Sequence, residues 1–85
     1  MSPNPFQGAA TIRVELREEA LARVAVLDVS GRVVRELYAG PLAQGVRRFE
    51  WDGREASGAR AEPGVYWVQV EAGKQRLART LIRLR

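Results

Sequence analysis

Cysteine and histidine are absent from this 85-residue chain. Their absence excludes disulfide bridges, thiolate or imidazole metal sites, a cysteine nucleophile and a histidine-based catalytic triad. No apolar run approaches the roughly 20 residues that a membrane-spanning helix needs, and 85 residues suffice for only one compact domain with a small core. The sequence therefore predicts a single soluble domain and leaves few enzyme mechanisms open.

Lysine is scarce as well, because thirteen of the fourteen basic residues are arginine. Residues 1–69 carry nine arginines against nine carboxylates, so the whole net charge of +4 comes from residues 70–85. A nucleic-acid-binding protein would normally add basic loops or aromatic platforms to such a segment. We favour arginines that alternate along the wet face of an edge strand and prevent edge-to-edge pairing. No nucleic-acid partner is expected.

Alternation of period two, typical of β-strands, runs through the chain. It is strict over Ala10–Leu16, where Ile12, Val14 and Leu16 share one face. Further strands are predicted at residues 22–29, 32–38, 45–51, 65–71 and 75–84. The strand at 32–38 is expected to contain a bulge and to end at Gly40-Pro41. This pattern predicts an all-β, immunoglobulin-like antiparallel β-sandwich of about seven short strands, with a small barrel as the alternative. The domain is expected to span residues 10–85, with 1–9 a linker or an expression remnant.

The apolar residues of these strands predict which side chains form the core. Val24, Val26, Phe49 and Trp51 are expected inside. Tyr66, Val68 and Val70 should share the inner face of their strand, and in the last strand we place Ile82 and Leu84 inward. Trp67, Leu77 and Leu81 would then lie on wet positions as a contact patch, either for a partner or for a neighbouring domain.

No constellation of residues indicates chemistry. The carboxylates stand mostly at outward positions beside arginine, and no pair has a spacing that suggests general acid and base catalysis. Asp28 with Ser30 is typical of a turn rather than of a calcium loop, the glycines form no phosphate cradle, and Trp67 alone is a weak platform for sugars. We therefore expect no enzyme activity, no cofactor and no metal site.

Five segments carry a resemblance to a known family: Asn4–Phe6, Thr11–Leu16, Asp28–Leu37, Trp51–Gly53 with Gly58, and Pro63–Tyr66. In order and spacing they resemble the Ig-like domain family shared by type IX secretion C-terminal sorting domains and the flagellar hook-capping protein. The resemblance implies a β-sandwich at the end of an exported bacterial protein, and the Pro-Asn-Pro opening is consistent with a linker in a longer chain.

Sorting by the type IX secretion pathway is the function that the resemblance favours. It implies the secretion machinery and a covalently linked upstream domain as partners, and a route through the periplasm to secretion or the cell surface, as a monomer without direct membrane insertion. The implied recognition residues are Gly64, Tyr66, Thr80, Arg83 and Arg85. The alternatives are a structural module of an extracellular enzyme and, less favoured, a carbohydrate-binding module; hook assembly is disfavoured because the hook protein's other segment is missing from this sequence.

Overall fold

A computed structural model of the chain describes residues 8–84 as two antiparallel sheets around one core. The strands, in chain order, are β1 Ala10–Leu16, β2 Ala20–Leu27, β3 Val33–Leu42, β4 Gly45–Trp51, β5 Gly64–Ala72 and β6 Gln75–Arg83. β1 pairs with β4, and the other four form a sheet in the order β3-β2-β5-β6. The predicted all-β class is confirmed. Residues 8–84 hold six strands rather than about seven, because the loop after β4 forms only an isolated bridge between Arg54 and Arg60.

The core forms where the inner faces of the two sheets meet. Val24, Val26 and Trp51 are completely buried, and Phe49 is 8% exposed, as the alternation predicts. β1 has the predicted bounds, and it pairs with β4 from Ala10 opposite Trp51 onward. Over residues 8–84 no helix is long and apolar enough to cross a membrane.

Strand β3 contains the predicted bulge and a second one. Its pairing with β2 skips Leu37 and then Val34, so two residues of β3 have no direct partner. The prediction that Gly40-Pro41 ends this strand was wrong, because β3 continues to Leu42. β3 lies at the edge of its sheet, where a proline without an N–H breaks no ladder.

Strand β6 faces the opposite way from the prediction. The tight turn at Gly73, with φ of +57°, pairs Ala72 with Gln75 and so places Leu81 opposite Tyr66. Residues that are directly opposite in an antiparallel pair share a face, so Leu81 points into the core and is 5% exposed. Ile82 and Leu84, which we had placed inward, are 39% and 41% exposed. The register of the turn overrides a pattern that is apolar on both faces.

The two tryptophans should differ sharply in their effect on stability. Trp51 is fully buried whereas Trp67 is 37% exposed, so Trp51→Ala should lower the free energy of unfolding by about 3 to 5 kcal/mol. Trp67→Ala should cost about 1 kcal/mol or less. Denaturant unfolding of both variants measures this difference, and equal midpoints would contradict the assignment of the two faces.

Candidate interaction surface

The residues implied in recognition fall into two groups in the structure. Gly64 lies opposite Arg83 and Tyr66 opposite Leu81, which brings Gly64, Tyr66 and Arg83 to one end of the β5–β6 pair. Thr80 lies opposite Trp67 on the outer face of the four-stranded sheet. Arg85 lies outside the described residues, as do Asn4–Phe6. Gly64, Tyr66 and Arg83 are buried or half-buried, so their accessibility to a partner is restricted.

Tyr66 is held in the core by its ring and by its hydroxyl. Its ring meets the Trp51 indole edge-on, with centroids 5.2 Å apart, and its hydroxyl donates to the Glu62 carbonyl at 2.5 Å. Burial raises the pKa of Tyr66 above its usual 10, and the nearby Arg83 guanidinium opposes that rise. The side chain that the resemblance implies in recognition therefore packs between the sheets.

Arg83 is buried, whereas the sequence places it on a wet face. Only 6% of Arg83 is exposed; its Nη1 donates to the Leu84 carbonyl at 2.7 Å, and its Nε has no partner among the described residues. The guanidinium lies against Gly53, where an added Cβ would come within 3.0 Å of Nε. Gly53, with φ of +79°, leaves the space that this side chain fills.

A cluster around the loop after β4 was not predicted from the sequence. The Arg35 guanidinium donates to Asp52 Oδ1 at 3.1 Å and to the Arg54 carbonyl at 3.2 Å. That carbonyl also accepts the Trp51 indole N–H at 2.9 Å, and Asp52 Oδ1 accepts the Arg54 N–H at 3.0 Å. The Trp51–Gly53 segment indicated a turn, but nothing in the sequence pointed to Arg35, which lies seventeen residues before Asp52. The cluster fixes the loop on the edge of the sandwich.

The expected contact patch of Trp67, Leu77 and Leu81 is not one surface. Leu81 is buried, and Leu77, which is 56% exposed, lies opposite Val70 on the inner face of the sheet, whereas Trp67 lies on the outer face. An apolar row does cross the outer face at Trp67. It runs from Val33 of β3 through Leu27 to Trp67, and the polar Thr80 ends it on β6. Val65 and Ile82 pair beside this row. A contact role for Trp67 and Leu77 stays a prediction.

The other end of the outer face is charged and internally paired. Arg23 binds Glu36 at 2.8 Å and approaches Glu71 at 4.0 Å, and Glu71 also binds Arg76 at 3.0 Å. These exposed pairs contribute little to stability individually. They leave the outer face with one apolar end and one end whose charges are largely matched.

The turn after β2 is built on one carboxylate, as predicted. Asp28 Oδ1 accepts the Ser30 hydroxyl at 2.6 Å, the Ser30 N–H at 2.9 Å and the Arg32 N–H at 3.0 Å, and Gly31 takes φ of +87°. These hydrogen bonds, above all that from the Ser30 hydroxyl, lower the pKa of Asp28 to about 2. Within residues 8–84 no three acidic side chains cluster closely enough to hold a metal ion.

Comparison with known proteins identifies a matching family and similar proteins. The family described as the FlgD Ig-like domain matches residues 2–76. The basal-body rod modification proteins FlgD of Salmonella typhimurium (strain LT2) and Salmonella typhi are each 38% identical to the chain, over 80% of this chain and 31% of their own length. The chain thus spans about a third of the length of these curated relatives.

Alanine substitutions at Gly53 and Gly58, both in the loop after β4, should distinguish backbone strain from steric contact. Gly58, with φ of +93°, has open space where a Cβ would stand, so Gly58→Ala should cost about 1 kcal/mol from backbone strain alone. Gly53→Ala adds the contact with Arg83 and with the Gly8 carbonyl and should cost about 2 to 4 kcal/mol in total. Thermal and denaturant unfolding measure both. Equal losses would mean that Arg83 does not rest on Gly53.

Removing the Ser30 hydroxyl should raise the pKa of Asp28 from about 2 toward its usual 3.8, because that hydrogen bond is the largest cause of the depression. A depressed carboxyl pKa stabilises the fold above the unfolded-state value and loses that contribution as the pH falls through the folded-state value. Ser30→Ala should therefore narrow the pH range between the folded-state and unfolded-state pKa values of Asp28, and with it the stability that this carboxyl contributes above that range. Carbon-detected NMR titration of Asp28 tests the shift, with Ser57→Ala as the control.

Proposed function

The chain belongs to the FlgD Ig-like domain family, and on that premise we propose that it is a C-terminal sorting domain for the bacterial type IX secretion pathway. The family is non-catalytic, so the domain would act by being bound. In this role it forms the end of a larger exported protein, passes through the periplasm, and directs its parent to secretion or to the cell surface. Its partners are the secretion machinery and the domain that precedes it.

The position of β6 is the observation that carries this proposal. β6 is the last strand among residues 8–84 and lies at the edge of the four-stranded sheet, where it pairs with β5 and with no other strand of the described chain. Six consecutive residues, Gln75–Thr80, are exposed. An open strand edge is a template for an added strand, and here it carries the basic excess of the chain.

Burial of Arg83 changes which side chains a receptor would read. The exposed cations of this region are Lys74, Arg76 and Arg79, and we assign recognition to them and to the backbone edge. Gly64, Tyr66 and Arg83 would then support recognition indirectly, because they lie at the paired end of β5 and β6 and hold that end against the core. Recognition by Thr80 and Arg85 stays part of the proposal.

Flagellar assembly is the second candidate, favoured by the 38% identity to the two basal-body rod modification proteins. In that role the domain would be one part of a basal-body rod modification protein. The matched part is 31% of those relatives, so the rest of such a protein would have to supply the other functions. A structural spacer in an extracellular enzyme is the remaining outcome of the tests below.

Charge reversal on the exposed part of the β6 region should abolish sorting without unfolding the domain. We expect the double variant Lys74→Glu and Arg76→Glu, fused behind a reporter in a host with type IX secretion, to lose most of its secreted reporter. Both side chains are exposed, and the Arg76–Glu71 pair at the surface contributes about 1 kcal/mol or less. Secreted reporter and thermal midpoint are measured on the same protein.

Matched substitutions keep this test specific. Arg17→Glu with Arg48→Glu makes the same change in net charge at exposed positions outside β6 and should leave export unchanged. Equal loss in both double variants would indicate a general charge effect. Failure of the native domain to export the reporter would remove the sorting proposal.

A motility assay separates the flagellar candidate. In a Salmonella strain lacking FlgD, a chimera whose matching segment is replaced by this chain should remain non-motile if the domain is a sorting signal. Restored swimming, together with no export of the reporter, would assign the domain to flagellar assembly.

A further inference from the structure

The first half of β6, Gln75–Arg79, forms an open corner of the sandwich, which we call the β6 corner. It pairs with β5 and with no other strand of the described chain, and all of its residues are exposed. Leu77 and Arg79 lie on its inner face, the same face on which Leu81 and Arg83 are 5% and 6% exposed. The inner side chains are therefore buried in the second half of β6 and have no cover among residues 8–84 in the first half.

An apolar groove lies beside the β6 corner, between β1 and the β5–β6 pair. It encloses about 80 Å³, and its apolar lining is Ile12, Val14, Val68, Val70 and Leu77. Leu77 is 56% exposed, so the groove is open on the side of β6. An apolar side chain that packs beside Leu77 would remove apolar surface from water on both partners.

The charges of the β6 corner and of the turn before it are all positive. Residues 74–79 contain Lys74, Arg76 and Arg79 and no carboxylate. Arg76 binds Glu71 at 3.0 Å on the outer face. Arg79, on the inner face, donates a long hydrogen bond of 3.4 Å to the preceding carbonyl, and no carboxylate of residues 8–84 lies within ion-pair distance of it. This corner therefore favours an acidic occupant.

We propose that the β6 corner binds an extended acidic peptide segment of another protein, which adds to β6 as an antiparallel fifth strand of its sheet. Residues directly opposite each other share a face. The segment therefore needs an apolar residue opposite Leu77 and, two positions earlier, an acidic residue opposite Arg79. A second acidic residue, directly after the apolar one, lies opposite Arg76 on the outer face. The pattern that fits is acidic, any residue, apolar, acidic.

Other occupants fit the β6 corner less well. Residues 1–7 contain no carboxylate and so offer no charged partner to Arg79. In a second copy, the β6 edge would bring its own cations, and the β3 edge is interrupted by two bulges and by Pro41. Single-stranded nucleic acid is normally held by aromatic stacking as well as by cations, and Gln75–Arg79 contains no aromatic ring. An acidic peptide with one apolar residue satisfies both the charge and Leu77.

This inference deepens the sorting proposal, because it gives the chemistry that the secretion machinery would present to β6. For the identity of the partner it rests on that proposal. The site itself depends only on the edge, the groove and the charges of the β6 corner, so it can be tested on the isolated chain without secretion.

NMR titration of the full isotopically labelled chain with the blocked pentapeptide Glu-Thr-Val-Glu-Thr tests the site. Saturable shifts are expected at the amides of Gln75–Arg79 and at the Leu77 methyls. A peptide with lysine in place of both glutamates should bind roughly tenfold or more weakly, because it brings cations to Arg76 and Arg79. N-methylation of the glutamate peptide at the amides that face β6 should abolish binding, since strand addition requires those donors.

Exchange of one charge pair tests the register. Arg79→Glu should weaken binding of the glutamate peptide roughly tenfold, and a peptide whose first glutamate is replaced by lysine should recover the lost affinity. Arg48→Glu makes the same change in charge at an exposed position of β4 and should leave both affinities unchanged. Both substitutions are at exposed side chains, so the thermal midpoints should stay close to that of the native chain.

Four results would overturn the proposal: equal affinity for the glutamate and lysine peptides, no recovery in Arg79→Glu, shifts confined to the Trp67 face, or self-association of the free chain through the amides of Gln75–Arg79. Octathymidylate that shifts these amides when the glutamate peptide does not would assign the β6 corner to nucleic acid instead. Peptide binding by a domain that fails to export its reporter would keep this site and remove the sorting proposal. Export without peptide binding would keep sorting and remove this site.

Discussion

The burial of the Trp51 indole is the constraint on which the sandwich depends. Backbone hydrogen bonds tie strands within each sheet, but the two sheets are joined through side chains, and Trp51 at the end of β4 is the largest fully buried one. Its ring packs edge-on against Tyr66 of the opposite sheet. The Arg54 carbonyl accepts its N–H and the Glu62 carbonyl accepts the Tyr66 hydroxyl, so the same two rings hold both ends of the intervening loop. Burial of two polar aromatics costs little here because each polar atom has a partner.

This anchoring is concentrated at one end of the molecule. At the Trp51 end, Leu81 and Arg83 are covered, and Gly53 closes over the guanidinium. At the other end Leu77 has no such cover. The division explains why residues adjacent in the sequence of β6 differ in role. In its second half the inward side chains pack into the core, whereas its first half is exposed.

The sequence predicts the fold well where one face of a strand is clearly apolar. In β1 and in the Phe49–Trp51 segment only one alternation is apolar, so bounds and facing agree with the structure. In β6 both alternations are apolar, and only the long-range register with β5 selects Leu81 over Ile82. Burial of Arg83 was unpredictable for a related reason, because it requires the space at Gly53, which is distant in the chain. The residues implied in recognition rest on the resemblance, and the structure shows only that Tyr66 and Arg83 are buried and that Thr80 is exposed.

The two edge strands of the four-stranded sheet, β3 and β6, differ in regularity. The β3 edge combines a proline that lacks an N–H, two unpaired residues, and at Val34 a carbonyl already occupied by the Ala56 N–H of the following loop at 3.0 Å. The opposite edge, β6, is regular over nine residues. A strand array can therefore join this sheet from one flank and cannot continue past the other. Strand addition through both edges, which is what continuous growth of a sheet into a fibre requires, is therefore disfavoured by the irregular β3 edge.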